Sequence, residues 1–415
     1  MSGREPLPLR EAAAEVAARL ASAGFDALFA GGCVRDEILG LEPKDYDIAT
    51  SATPAEIRAI FPRARDVGEA FGVMLVRHGG RQFEVATFRK DGPYDDHRRP
   101  SHIEFSTDRE DAARRDFTIN GIFMRPATGE IVDYFGGKAD IDRRVVRAIR
   151  DPHERIAEDR LRMLRAIRFA ARLDFTIEEA TASAIRTHAR ELDGVSRERI
   201  GDELRRMLGH PARARAAALV ESLGLDHAVF GACLIVPAHP RLAGLRAQAG
   251  VAEALAAWFL DRASLGAPGY ADLAAPADAV ALLRSRLLLS NIESDELSAI
   301  LDARAAIVER FDAEPVAGQA RIVARPGFDR ALAILAIERP QDAPGWRIRA
   351  DEVLPSRVLP APLLDGSALI RAGLRPGPEF KNLLDRTLDA QIEGRVRSTA
   401  EALAFALAVR DGRGG

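Results

Sequence analysis

Apolar and polar positions along the first third of the chain switch between two spacings, one suited to helices and one to strands. Residues 9–23 are Ala-rich, with apolar side chains at helical spacing. Ala27–Ala30 is a short apolar run that ends at Gly31-Gly32, and Val34–Leu39 returns to a helical pattern. Tyr46–Thr50 alternates as a strand does. Thr53-Pro54 opens a further helix, with Thr as the cap and Pro in the first turn. Val73–Arg77 and Gln82–Phe88 read as the arms of a hairpin turning at Gly79-Gly80. Residues 90–113 are polar and charged, with Gly92, Pro93 and Pro100, and predict a long loop. From Asp151 onward the strand pattern nearly vanishes. Residues 153–171, 178–190, 197–208 and 212–223 carry helical periodicity, as do segments near 251–262, 278–289, 294–310 and 328–337. A stretch from Asp365-Gly366 to Pro376-Gly377-Pro378 interrupts the last helical segments. The pattern therefore predicts a small α/β head followed by an elongated helical body, with boundaries near 150, 215 and 350.

With 415 residues and 47% hydrophobic side chains, the chain can bury sizeable cores in two to four domains. Its formal net charge is -3, so any nucleic-acid contact must come from local clusters of arginine. Cys33 and Cys233 are the only cysteines, too few for a disulfide framework or a zinc site. They fit free thiols in a reducing cytoplasm. No apolar run has the length of a signal peptide or of a membrane span.

The candidate chemistry starts at Asp45 and Asp47. Residues i and i+2 of a strand share a face, and two carboxylates side by side repel unless cations separate them. Phosphoryl transfer uses that arrangement, because a pair of Mg²⁺ ions can hold the attacking and leaving oxygens. In isolation an Asp-x-Asp pair is more often a solvated turn. Fourteen residues upstream, however, lies Gly31-Gly32-Cys33-Val34-Arg35-Asp36, which leaves a strand and enters a helix. Two glycines let backbone N–H groups approach a phosphate, the helix turns its positive end to the same anion, and Arg35 adds a charged fork.

The joint pattern from Gly31 to Asp47 resembles the signature of the nucleotidyltransferase superfamily, specifically class II tRNA CCA-adding enzymes and bacterial poly(A) polymerases. Further motifs agree in order: Arg114-Arg115-Asp116-Phe117-Thr118-Ile119-Asn120, then Glu158-Asp159-Arg160-Leu161-Arg162, then Ser196-Arg197-Glu198-Arg199-Ile200 with Glu203-Leu204. The likeness is strong over about residues 1–215 and rests beyond that on helical character. It implies an α+β fold, a small mixed-sheet nucleotidyltransferase head followed by an elongated all-α body. Residues 1–150 would be the catalytic head, 151–215 a base-recognition neck, 216–350 a body and 351–415 a tail.

The resemblance also implies roles. Asp45, Asp47 and Glu84 would be catalytic and hold Mg²⁺. Gly31, Gly32 and Arg35 would seat the triphosphate. Asp116 and Asn120, at an expected helix start, would bond the ribose 2′-hydroxyl, with Arg115 on the nucleotide. Asp159 and Arg162 would read the base, the first accepting from an exocyclic amine and the second donating to base acceptors. Arg165 and Arg168 recur at three-residue spacing with them along the expected 153–171 helix, and would hold phosphates or the reading pair. In an arbitrary helix such a stripe is a solvated basic face. The 90–113 loop, with Arg89, Lys90, Asp91, Arg98 and Arg99, would help the switch from C to A addition.

The implied activity is CCA addition to the tRNA 3′ end from CTP and ATP. Arg205, Arg206, Arg213 and Arg215 are candidate contacts to the RNA backbone, or equally a solvated face. The alternatives are a poly(A) polymerase, a partial CC- or A-adding enzyme, and a catalytically dead RNA-binding protein. Against the poly(A) reading stands the segment Val67–Gly72, where poly(A) polymerases carry a basic, aromatic stretch. The eight histidines show no metal-ligand spacing and no His-Asp phosphohydrolase cluster, so no accessory phosphatase is expected.

Overall fold

The computed structural model describes residues 7–68, 72–92, 102–265 and 276–411. Glu69–Phe71, Arg98 and Arg99, to which the sequence reading gave weight, lie outside the described residues. The chain divides into two compact units, one through Ile235 and one from Val236.

The first unit opens with α1 (Leu9–Ser22), β1 (Ala27–Ala30), α2 (Gly32–Ile38), β2 (Ile48–Thr50) and α3 (Pro54–Ile60). Strands β3 (Arg65–Gly68), β4 (Val73–His78) and β5 (Arg81–Thr87) follow. Thr53 accepts from the Glu56 N–H while Glu56 accepts from the Thr53 N–H, so the predicted cap of α3 is a full capping box. The hairpin turn is also as read: Gly79 and Gly80 have φ of 55° and 76°, a region glycine enters without a Cβ penalty. The described residues of the 90–113 segment, 90–92 and 102–113, carry regular elements where a loop was expected. The segment contributes β6 (Arg89–Asp91), β7 (Ile103–Phe105) and α4 (Asp108–Ala113), with Thr107 capping α4. Strands β8 (Ile122–Met124) and β9 (Ile131–Asp133), α5 (Gly137–Arg143) and β10 (Val145–Val146) complete the head.

Among the described residues the main sheet has seven strands in the order β3-β4-β5-β2-β1-β8-β9. It is mixed: β2 and β5 run parallel, and the other neighbours are antiparallel. Inward-facing Phe83 and Val85 on β5 are buried while Glu84 between them is exposed, the alternation a half-buried strand requires. Phe88, just past the end of β5, joins Leu28, Ala49, Ala112 and Phe123 in the core.

The rest of this unit is helical: α6 (Pro152–Glu158), α7 (Arg162–Leu173), α8 (Glu179–His188), α9 (Arg197–Leu208), α10 (Arg213–Ser222) and α11 (Asp226–Phe230), with a short β11 (Thr176–Ile177) paired to β10. The expected single helix over 153–171 is two. The chain becomes extended at Asp159 (φ -144°, ψ 101°), whose Oδ1 accepts from the Leu161 N–H. An Asp side chain competing for backbone donors in this way favours a turn over a continued helix. Asp159 therefore stands at a break, and α7 carries only the arginines.

The second unit is all helix among its described residues: α12 (Pro240–Gly244), α13 (Val251–Ala263), α14 (Pro276–Leu287), α15 (Asn291–Arg310), α16 (Val316–Val323), α17 (Phe328–Glu338), α18 (Ala343–Val353), α19 (Gly366–Arg371), α20 (Glu379–Ile392) and α21 (Thr399–Arg410). Trp258, Ile300 and Leu335 lie in its interior. Glu338 on α17 is gripped there by Arg241 (2.6 Å) and by Arg304 (2.7 Å). Among the described residues no helix is long and apolar enough to cross a membrane.

Candidate active site

Strand register assembles the acidic end of the site. Ile48 on β2 pairs with Val85 on β5, which sets the preceding residues Asp47 and Glu84 beside each other across parallel strands. Regular strand begins only at Ile48, yet the Asp47 carbonyl still accepts from the Ala30 N–H, so the backbone stays docked against β1. Asp45 completes the group two residues earlier. Solvent reaches Asp47 through the cleft, but protein atoms crowd it on the other sides. Its carboxyl is pushed up to about 6 by desolvation first, then by the charges of Asp45 and Glu84, against the pull of Arg115.

All thirteen residues singled out from the sequence line one cavity of about 1050 Å³ on the first unit. They are Gly31, Gly32, Arg35, Asp45, Asp47, Glu84, Arg115, Asp116, Asn120, Asp159, Arg162, Arg165 and Arg168. The glycine pair divides in its demands. Gly31 has φ 71°, and a Cβ there would stand 2.5 Å from Arg115 Nη1 and 3.3 Å from the Asn120 carbonyl oxygen. At Gly32 the nearest neighbour of such an atom is 3.7 Å away, an ordinary contact.

The arginines of the cavity are held by carboxylates, Arg35, Arg115 and Arg162 by near neighbours in sequence and Arg165, Arg168 and Arg199 by distant ones. Arg35 is buried; its Nη1 donates to Asn120 Oδ1 (2.6 Å) and its Nε and Nη2 to Asp36 Oδ1 (2.9 and 2.6 Å). Asn120 Nδ2 in turn donates to Asp116 Oδ1 (2.9 Å), and Arg165 donates to Asp116 Oδ2 from Nε (2.8 Å) and Nη2 (2.5 Å). This chain of bonds runs from α2 through the 114–120 segment to α7. Asp116 is almost fully buried, and the Arg165 charge with the Asn120 bond holds its carboxyl far below the usual range despite that burial. Arg115 and Asp116 lie between the end of α4 at Ala113 and a single 3₁₀ turn, Thr118–Asn120, so the expected helix start is a short turn that holds Asn120. Arg115 is tied back to Asp111 Oδ2 (3.1 and 3.2 Å).

The two expected base readers do not bond each other. Both Asp159 oxygens accept from Arg199 Nη2 (3.0 and 2.9 Å). Arg162 is buried, and its Nη1 donates to Glu158 Oε2 (2.7 Å) and to the Arg155 carbonyl (2.8 Å). Arg168 Nε donates to buried Glu203 Oε2 (2.6 Å). Phe169, on the same helix, carries the guanidinium groups of Arg168, Arg35 and Arg165 at 4.4, 5.2 and 5.6 Å from its ring centre. Sequence reasoning passed over Phe169, Arg199 and Glu203 as site residues. Arg199 and Glu203 sat inside a quoted motif, but nothing local pairs them with residues 35 to 40 positions away.

Among the described residues no three His, Cys, Asp or Glu side chains form a ready-made metal cage. The donor set is of the open kind: carboxylates beside a cleft that admits water and substrate oxygens, as small hard cations accept. An acidic group whose central carboxyl already resists ionisation is relieved by a divalent cation, so the residues fit one. The cavity thus joins an anionic corner, where hard cations are stable, to arginine-rich walls, where phosphates are.

Comparison with known proteins gives the same direction. Residues 27–147 match the family described as "Poly A polymerase head domain", and residues 174–231 match "Probable RNA and SrmB- binding site of polymerase A". The chain is 36% identical over 397 residues to a CCA-adding enzyme of Geobacillus stearothermophilus, covering 92% of each. It is 32% identical over 394 residues to one of Lactobacillus delbrueckii subsp. bulgaricus, covering 94% of this chain and 96% of that one. The crystal structure of the Bacillus stearothermophilus CCA-adding enzyme in complex with CTP superposes with a TM-score of 0.76 at 30% identity, over 98% of this chain and 99% of that one.

Proposed function

This chain belongs to the CCA-adding enzyme family, and from that premise we propose how its cleft adds C, C and A to the 3′ end of tRNA from CTP and ATP. The observation that carries the reading is the convergence of Asp45, Asp47 and Glu84 with the Gly31 turn and the Arg165–Asp116–Asn120 chain in one cavity.

Enzymes of this kind work with divalent metal ions, and Mg²⁺ is the ion proposed here, with Asp45, Asp47 and Glu84 as its ligands. When bound, it supplies charge neutralisation for the triphosphate and makes the primer hydroxyl more acidic. The bond formed joins the primer 3′-oxygen to the α-phosphorus; the bond broken is that between the α-phosphorus and the oxygen bridging it to the β-phosphate. Pyrophosphate leaves, and the hydroxyl proton passes to water.

The protein's own groups do the positioning. Gly31 lets backbone come close to the phosphates, and Arg115 and Arg35 supply positive charge beside it. Asp116 and Asn120 face the ribose. Asp159, oriented by Arg199, accepts from the exocyclic amine that cytosine and adenine share, and Arg162 donates to a base acceptor on the same wall. A uracil or guanine in that seat would leave polar groups unpaired, at about 1–3 kcal/mol each. The α8–α11 helices add a backbone-reading surface suited to RNA shape. The work belongs in the cytoplasm, with its substrates.

The test is incubation of the protein with tRNA lacking its tail and with CTP, ATP or both. CCA addition gives a product that stops at three nucleotides, whereas long adenosine tails would identify a poly(A) polymerase. Unchanged incorporation by Asp45→Ala would remove the catalytic assignment altogether.

A further inference from the structure

Beside the main cavity, on the same unit, lies a second one of about 270 Å³. Its walls carry Lys44, Arg168, Arg172, Arg206 and His210, and no carboxylate lines it. Counter-charges stand behind the arginines instead. Glu203 takes Arg168 (2.6 Å) and Arg206 (3.3 Å), and Asp36 lies 3.7 Å from Arg172. Two carboxylates thus face three arginines, and Lys44 adds a further, exposed positive charge.

His210 sharpens the preference. Its Nδ1 accepts from the Ala212 N–H (3.1 Å), which puts the ring proton on Nε2 and makes that nitrogen a donor. Burial and the charges of Arg172, Arg213 and Lys44 hold its pKa below the ordinary value, so the ring keeps this neutral tautomer. Every polar side chain on the wall is therefore a donor, and the excess charge is positive. Such a wall recognises an anion of several acceptor oxygens.

We infer that this pocket binds a backbone phosphate of the RNA primer and so fixes its 3′ end against the acid group. The inference rests on the function proposed above. Two features of position select the primer's phosphate. Lys44 immediately precedes Asp45, so the pocket begins one residue from the acids that the 3′-hydroxyl must reach. Arg168 and Arg206 line both cavities, so the two are adjoining compartments. A nucleotide whose hydroxyl enters the first carries its own 5′-phosphate a short way back along the strand. Nothing in this geometry reads a base, so the contact is indifferent to sequence.

Lys44→Glu is the test, since this exposed side chain has little to do with folding. Steady-state kinetics are measured with a short RNA primer against CTP. The KM for primer rises by about tenfold, while kcat and the KM for CTP stay within twofold and Lys44→Arg restores the parent value. The slope of log KM against log salt also falls by about 0.7, the share of one single-strand phosphate. Replacing the terminal phosphodiester by an uncharged methylphosphonate weakens binding to the parent protein more than to Lys44→Glu, which keeps the pocket's other donors but has lost one charge partner. Equal primer KM in parent and variant, or an equal methylphosphonate penalty in both, overturns the inference. So does a variant altered only in its inhibition by inorganic phosphate or pyrophosphate, which would make the occupant a free anion. A parent protein that extends no RNA would instead overturn the underlying function.

Discussion

Asp116→Asn isolates the charge that ties the ribose segment to α7. The Asp116 side chain is 7% exposed and accepts four bonds: two from Arg165, one from Asn120 Nδ2 and one from the Phe117 N–H (2.8 Å). Asparagine keeps the shape but offers a single acceptor oxygen and turns an NH₂ toward one set of donors. At least one side of the network is broken, and Arg165 faces a neutral group. Breaking a buried ion pair costs about 3–5 kcal/mol. A third of the Arg165 side chain remains in contact with water, which screens the loss, so the lower end, about 3 kcal/mol, is expected. For a unit of this size that lowers Tm by roughly 6–12 °C. The pH dependence follows from the sign of the shift. The folded carboxyl is held below its unfolded value of 3.8, so its stabilisation is fully present above that value and is lost as pH falls through the folded one. Thermal unfolding of parent and variant between pH 3 and 8 should show a gap that is constant above pH 5 and narrows below 3.8. Incorporation of ATP against dATP, measured alongside, should show weaker preference for the ribonucleotide. A variant as stable as the parent at pH 7 would refute the reasoning, because the Arg165–Asp116 pair would then contribute nothing to the fold.

Other substitutions probe separate parts of the site. Gly31→Ala should raise the KM for CTP at least tenfold, since its Cβ would displace Arg115, whereas Gly32→Ala should change it less than threefold; equal effects would remove the steric argument. Divalent-cation binding, followed by calorimetry, should weaken as pH falls through about 6, because the Asp47 carboxyl must ionise to take part; affinity flat from pH 8 to 5 would contradict this. Asp159→Ala should increase UTP or GTP misincorporation by about tenfold and lower stability by about 1 kcal/mol, as its bonds from Arg199 and the Leu161 N–H are lost. Arg162→Ala should do so at a cost of about 2 kcal/mol in stability, as its buried bonds to Glu158 and the Arg155 carbonyl disappear. Unaltered fidelity in both would end the base-reading role.

Local chemistry made much of the fold readable. The Thr53-Pro54 start, the Gly79-Gly80 turn and the helices at 197–208 and 328–337 rest on caps, φ preferences and apolar spacing, which act within a few residues. The readings that failed are those in which a side chain competes with periodicity. Asp159 breaks a helix whose apolar stripe runs straight through it, and the helix start expected at Asp116 is only a 3₁₀ turn from Thr118 to Asn120. The 90–113 segment looked like loop because β6 and β7 are only three residues each, β6 is wholly charged, and their pairing is with each other.

The sequence by itself determined which residue types the site contains and their order: the glycine turn, the spaced acids and the runs of arginine. Tertiary structure decided who meets whom. Asp116 finds Arg165 49 positions on, Asp159 finds Arg199 40 positions on, and Arg168 finds Glu203 35 positions on. Ion pairs and hydrogen bonds depend on distance through space and on loss of water around them. Those quantities exist only once the head sheet and the helices behind it have packed, so no local pattern encodes them.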